Sequence, residues 1–122
     1  MKHSPGFLKI SESARERVKE VEPEAVLHSL KNKENFYLVD VREESEWAAG
    51  HLPGAIHLSK GIIERDIETR IPDPNARIVL YCGGGYRSAL AARNLAEMGY
   101  KNIESMIGGY RGWGERKLPD SL

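Results

Sequence analysis

Ile78, Val79, Leu80, Tyr81 and Cys82 form a run with no polar side chain in an alternating position. A strand with one face in water alternates apolar and polar residues, so a run of this kind reads as a strand covered on both faces. Phe36, Tyr37, Leu38, Val39, Asp40 and Val41 make a second such run, broken only by Asp40. Stretches of helical spacing separate the runs. That alternation predicts an α/β domain, with a mainly parallel sheet and helices packed on both of its faces.

The remaining elements follow from spacing and punctuation. Pro23 suits the first turn of a helix that gathers Val26, Leu27 and Leu30 on one face. Residues 43–49 read as a short helix with Gly50 just past its end, and residues 55–58 as a brief strand after the Pro53-Gly54 turn. Ile62, Ile63 and Ile67 give an apolar stripe to the charged stretch 59–70, whose Glu64, Arg65 and Asp66 read as a solvated face; Pro72 and Pro74 close it. Ala91, Ala92, Leu95 and Met98 recur at helical spacing before Gly99, and the alanines let that helix lie close to a sheet. Residues 102–106 form a weaker strand, and Gly108-Gly109 opens a last helix with Tyr110 and Trp113. Residues 18–21 fit either a helix end or an edge strand. The first dozen residues are weakly patterned and expected to fray, with a capping box at Ser13 and Glu16 starting a short helix. Residues 1–17 are thus read as an N-terminal extension, 18–117 as the domain and 118–122 as a tail.

A chain of 122 residues suits a single core. Eighteen basic residues balance eighteen acidic ones, which disfavours broad binding to nucleic acid or anionic membranes. No apolar stretch is long enough to span a bilayer, and no leader is visible at the start. One cysteine cannot make an internal disulfide, so a free thiol in a reducing cytoplasm is expected. His3, His28, His51 and His57 lack metal-ligand spacing, and neither a metal nor an organic cofactor is expected.

Cys82 is followed by Gly83, Gly84, Gly85, Tyr86, Arg87 and Ser88, and then by the alanine-rich helix. The thiol therefore falls at the carboxyl end of a strand, in a glycine turn, at a helix mouth. Ligands of open α/β sheets bind at such ends. Backbone N–H groups of such turns point inward and make an anion-binding hollow, which favours a thiolate over a thiol. The plainer reading, a small buried hydrophobe, leaves three consecutive glycines unexplained. Ser88 can cap the helix or hydrogen-bond the sulfur, Arg87 can steer an anionic donor or tie the loop to the domain body, and Tyr86 can line the entrance or sit half-exposed at the loop tip. Asp40, Arg42 and Glu46 are read as one polar cluster pinning a strand end, His51 as satisfying turn backbone, and Trp47, Tyr110 and Trp113 as packing.

Three stretches together resemble the rhodanese (thiosulfate sulfurtransferase) family. They are the segment from Asp40-Val41-Arg42 through Glu46 to Gly50-His51-Leu52-Pro53-Gly54-Ala55-Ile56, the loop Cys82 to Ser88, and the stretch from Gly99-Tyr100 through Gly108-Gly109-Tyr110-Arg111-Gly112-Trp113. The resemblance implies a three-layer sandwich around a five-stranded parallel sheet. It also implies a sulfurtransferase in which Cys82 takes the outer sulfur of a donor such as thiosulfate as a persulfide. Cyanide or a thiol, small or on a protein, would then accept that sulfur. Two other functions fit the same residues. One is a non-catalytic or redox-sensing module. The other is a thiol-dependent phosphatase or arsenate reductase, whose pattern resembles C-x5-R; here Arg87 stands one residue closer.

Overall fold

The computed structural model describes residues 3–122; Met1 and Lys2, the first two residues of the expected N-terminal extension, lie outside them. Lys19–Val21 (β1), Tyr37–Asp40 (β2), Ile56–His57 (β3), Ile78–Tyr81 (β4) and Ile103–Met106 (β5) form one sheet in the order β1-β5-β4-β2-β3. Every pairing is parallel. Among the described residues six helices accompany the strands: Pro5–Arg15 (α1), Pro23–Lys31 (α2), Glu44–Ala49 (α3), Ile63–Arg70 (α4), Tyr86–Glu97 (α5) and Gly109–Glu115 (α6).

Alternate side chains of a strand point to opposite faces. Leu38, Val79, Tyr81 and Met106 pack on one side with Val26 of α2, Trp113 of α6 and Leu52. Val39, Ile78, Leu80, Cys82 and Ile103 pack on the other with Ile63 and Ile67 of α4 and Ala91, Ala92 and Leu95 of α5. Both faces of β2 and β4 are thus covered, which is why neither strand alternates. The three-layer arrangement expected from the sequence is the one found. Of residues 18–21, Lys19–Val21 form the edge strand β1, paired with β5 from Lys19↔Glu104 to Val21↔Met106.

The N-terminal stretch differs from expectation. It does not fray. Pro5 occupies the first turn of α1, and Ser13 lies in the last turn rather than at a start. The helix is fixed by packing across its length: Ala14 meets Ala89 and Leu90 of α5, with Phe7 and Val18 alongside. A local capping pattern does not register that contact. Glu64 is also less solvated than expected, because its carboxylate accepts a hydrogen bond from Asn94 of α5 at 2.8 Å. No helix among the described residues is long and apolar enough to cross a membrane.

Candidate active site

β2 and β4 are in register, Asp40 beside Tyr81, so Val41 and Cys82 leave the sheet at the same edge. Cys82 turns its sulfur toward the α5 face and is followed by residues 83–88. Gly85 takes a left-handed conformation (φ +97°) and ends the turn as the N-cap of α5. Its N–H donates to Cys82 Sγ at 3.1 Å. Ser88 does not cap. It sits buried in the first turn of α5, with Oγ 3.5 Å from Sγ and 2.8 Å from the Oγ of Ser105 on β5. The Cys82 thiol donates to the Ser88 hydroxyl, which is in turn hydrogen-bonded to the Ser105 hydroxyl.

The third motif packs directly on the loop. Tyr110 N–H donates to the Cys82 carbonyl at 2.7 Å, and Arg111 N–H to the Gly83 carbonyl at 3.0 Å. Those bonds hold the two carbonyls on the α6 side, and the Gly85 N–H is the loop amide that bonds the sulfur. Gly109 makes the approach possible. At φ +58° a Cβ there would run into the Cys82 carbonyl oxygen and stand 2.8 Å from the Gly83 carbonyl carbon. Gly109→Ala is expected to lower stability by at least about 1–2 kcal/mol, the cost of a left-handed L-residue, and to displace the Cys82 loop. Gly114→Ala, in open space on the same helix, is the control and should be neutral or stabilising. Thermal melts and amide chemical shifts of residues 82–88 would read both. Equal behaviour of the two variants would contradict this account of Gly109.

Cys82 is more buried than a reactive thiol at a loop mouth leads one to expect: 1% of it is exposed. Gly83 and Gly84 are half-buried and have no side chains, so they form the thin part of the cover. Tyr86 is also half-buried; its ring lies 4.8 Å from that of His3 and 6.1 Å from that of Phe7, with Arg15 over it at 5.8 Å. The N-terminal helix thus borders the loop, a relation that sequence reading missed.

The expected polar cluster divides in two. Asp40 and Arg42 form a buried bidentate pair, with Nε 3.1 Å from both carboxylate oxygens and Nη2 2.8 Å from Oδ2. Arg42 also donates to the Gly50 carbonyl at 2.6 Å and lies 4.2 Å over the Tyr110 ring, joining β2, the end of α3 and α6. Glu46 pairs not with these but with Arg87, at 2.9 and 3.2 Å. Glu46 reaches Arg87 because the Glu43–Glu46 capping box fixes α3. His51 stacks on Trp47 at 3.6 Å with its Nδ1 3.3 Å from the Trp47 carbonyl, and His57 stacks at 5.0 Å. Tyr81 accepts a hydrogen bond from Leu52 N–H at 3.0 Å, and burial pushes its phenol up.

The Arg87 hydrogen bond is the main cause holding the Glu46 carboxyl down at about 2. Because this value is depressed on folding, the pair's contribution is complete above the usual 4.5 and is lost as pH falls toward 2. A carboxyl NMR titration should therefore show Glu46 ionised through the ordinary carboxylate range. An inflection at the ordinary value would contradict the pairing.

Among the described residues, then, the site is a lone thiol that accepts one backbone N–H bond in a glycine turn at the carboxyl edge of a parallel sheet, buttressed by a glycine-rich helix start and a buried ion pair. The rhodanese-like domain family matches residues 23–116. This chain belongs to the rhodanese family. It is 35% identical over 101 residues to the thiosulfate sulfurtransferase GlpE of Haemophilus influenzae (strain ATCC 51907 / DSM 11121 / KW20 / Rd), covering 83% of this chain and 92% of the relative. YrkF of Bacillus subtilis (strain 168), named as a candidate sulfur carrier protein, is 31% identical over 96 residues, which are 79% of this chain and 51% of that longer relative. A Rhodopseudomonas palustris CGA009 structure, described as a protein of unknown function and possible tyrosine phosphatase, superposes with a TM-score of 0.83 at 26% identity. It covers 98% of this chain and 97% of that one.

Proposed function

We propose that this protein is a sulfurtransferase that carries a sulfane sulfur on Cys82, taken from a donor such as thiosulfate and passed to a thiol or to cyanide. The observation that carries the reading is the sulfur held between the Gly85 N–H and the Ser88 hydroxyl at a strand end. Hydrogen-bond donors there suit a sulfur that stays anionic before and after it is loaded. Family membership and the sulfurtransferase name of GlpE support the same activity.

In the first step the Cys82 thiolate attacks the outer sulfur of thiosulfate. The Sγ–S bond forms, the donor's S–S bond breaks, and its electron pair leaves with sulfite. A thiolate and a dianion become a persulfide anion and a dianion. In the second step the acceptor's lone pair attacks the outer sulfur and the S–S electron pair returns to Sγ; cyanide leaves as thiocyanate. Dividing one transfer into two displacements at sulfur is covalent catalysis by a soft nucleophile. No proton need move if the thiol is ionised, so Asp40, spent on Arg42, is not required as a base. Gly83 and Gly84 form the approach to the sulfur, Gly85 and Ser88 hold it, Arg87 with Glu46 ties the loop to α3, and Tyr86 borders the rim. A reducing cytoplasm is the setting this free thiol suits.

Arg87 bears against the phosphatase alternative. Its guanidinium is committed to Glu46, where an oxyanion-binding arginine would turn inward. Intact-protein mass spectrometry after incubation with thiosulfate tests the reading. A gain of one sulfur atom on Cys82, discharged by cyanide as thiocyanate, is expected. No adduct, together with Cys82-dependent cleavage of a phosphate ester, would overturn it.

A further inference from the structure

Two guanidinium groups touch the turn that covers Cys82, and they are not equivalent. Arg87 lies on the Gly83 side, with Nη2 3.0 Å from where a Gly83 Cβ would sit, and both its terminal nitrogens bond Glu46. Arg111 lies on the Gly84 side, so close that a Cβ there would run into its Nη2; Cζ is 3.6 Å from that position. Arg111 is exposed, and its side chain has no carboxylate or hydrogen-bond partner among the described residues. Its backbone is anchored to the same turn, because its N–H is bonded to the Gly83 carbonyl at 3.0 Å. Arg116, the C-cap residue of α6, is by contrast paired with Glu22 and Glu24.

We propose that Arg111 is the specificity-determining residue of this site and receives the anionic head of the sulfur donor as its outer sulfur reaches Cys82. The proposal rests on the sulfurtransferase reading of the loop and names the donor class: a sulfane sulfur attached to an oxyanion such as a sulfonate. A planar guanidinium fork binds two oxygens of such a head, whereas an ammonium offers only a point charge. The cation sits over Gly84, the thin part of the cover. Attraction therefore acts where a small dianion must enter, and a neutral reagent gains nothing from it. Arg87 is left to hold the loop, its charge offset by Glu46.

Arg111→Gln and Arg111→Lys test this with two readouts. One is the thiosulfate KM against kcat. The other is the rate of Cys82 alkylation by iodoacetate relative to iodoacetamide, in which the Sγ–C bond forms and iodide leaves. For Arg111→Gln, KM should rise about fivefold to tenfold with kcat within about twofold, and the iodoacetate preference should fall by a similar factor. Arg111→Lys should recover part of both. An unchanged KM and an unchanged alkylation ratio would overturn the assignment, as would a lower kcat alone, which marks a merely structural role. If the wild type turns over no thiosulfate, the sulfurtransferase reading fails separately. The alkylation ratio still decides: a fall in Arg111→Gln supports anion recognition by this side chain, and an unchanged ratio overturns it. Failure of both reagents to modify Cys82 overturns it too, since no small anion then reaches the sulfur.

Discussion

Cys82→Ser is expected to lower thiosulfate-to-cyanide sulfur transfer by about a thousandfold or more while leaving the fold in place. Serine is nearly isosteric, and its hydroxyl can use the Gly85 N–H and the Ser88 hydroxyl that now face Sγ. A hydroxyl in that position is not ionised at neutral pH and forms no persulfide, so the covalent route closes. Because the residue is buried, the substitution also tests whether the sulfur matters for packing. Denaturation midpoints should move by about 1 kcal/mol or less. Turnover within tenfold of the parent would show that the chemistry does not pass through this atom.

The largest effect on stability is expected at the Asp40–Arg42 pair. Arg42→Met leaves a carboxylate that is 0% exposed without its bidentate partner and strips the Gly50 carbonyl of its donor. Breaking one half of a buried pair costs about 3–5 kcal/mol, more than most single substitutions. Asp40→Asn should fall below it, because the amide still accepts a hydrogen bond. The double variant should lose less than the sum, with a coupling of about 2 kcal/mol in urea denaturation. The consequence extends to the site: Arg42 packs on the Tyr110 ring, and the Tyr110 N–H holds the Cys82 carbonyl. Loss of under about 1 kcal/mol in Arg42→Met would contradict the view that this pair pins the loop's foundation.

The sheet and the thiol turn were legible in the sequence for one reason. Residues 36–41 and Ile78–Tyr81 are apolar on both faces, and the glycines after Cys82 demand an unusual backbone. Local patterns carried less where tertiary contact decides. Ser13 and Glu16 satisfy a capping pattern, yet the helix starts at Pro5 because Ala14 and Phe7 find α5. The proline at the first turn was the available signal. The sequence groups Glu46 with Asp40 and Arg42, but its hydrogen bonds go to Arg87, 41 residues away and on another helix. Ser105 and Arg111 gave no sign of their place beside the loop. Ser105 sits in a weakly patterned strand, and the reach of Arg111 to Gly84 depends on how α6 docks. The depth of Cys82 was likewise hidden, because the sequence specifies a turn but not how closely α6 closes over its back.

If the glycine turn holds a loaded sulfur on Cys82, that atom is visible directly. A high-resolution crystal structure of the thiosulfate-treated protein tests it most directly. One additional sulfur bonded to Sγ is expected, enclosed by backbone N–H groups of residues 83–88, with Arg87 still on Glu46. A bare Sγ after treatment that yields thiocyanate, or an added sulfur directed away from those N–H groups, would contradict it.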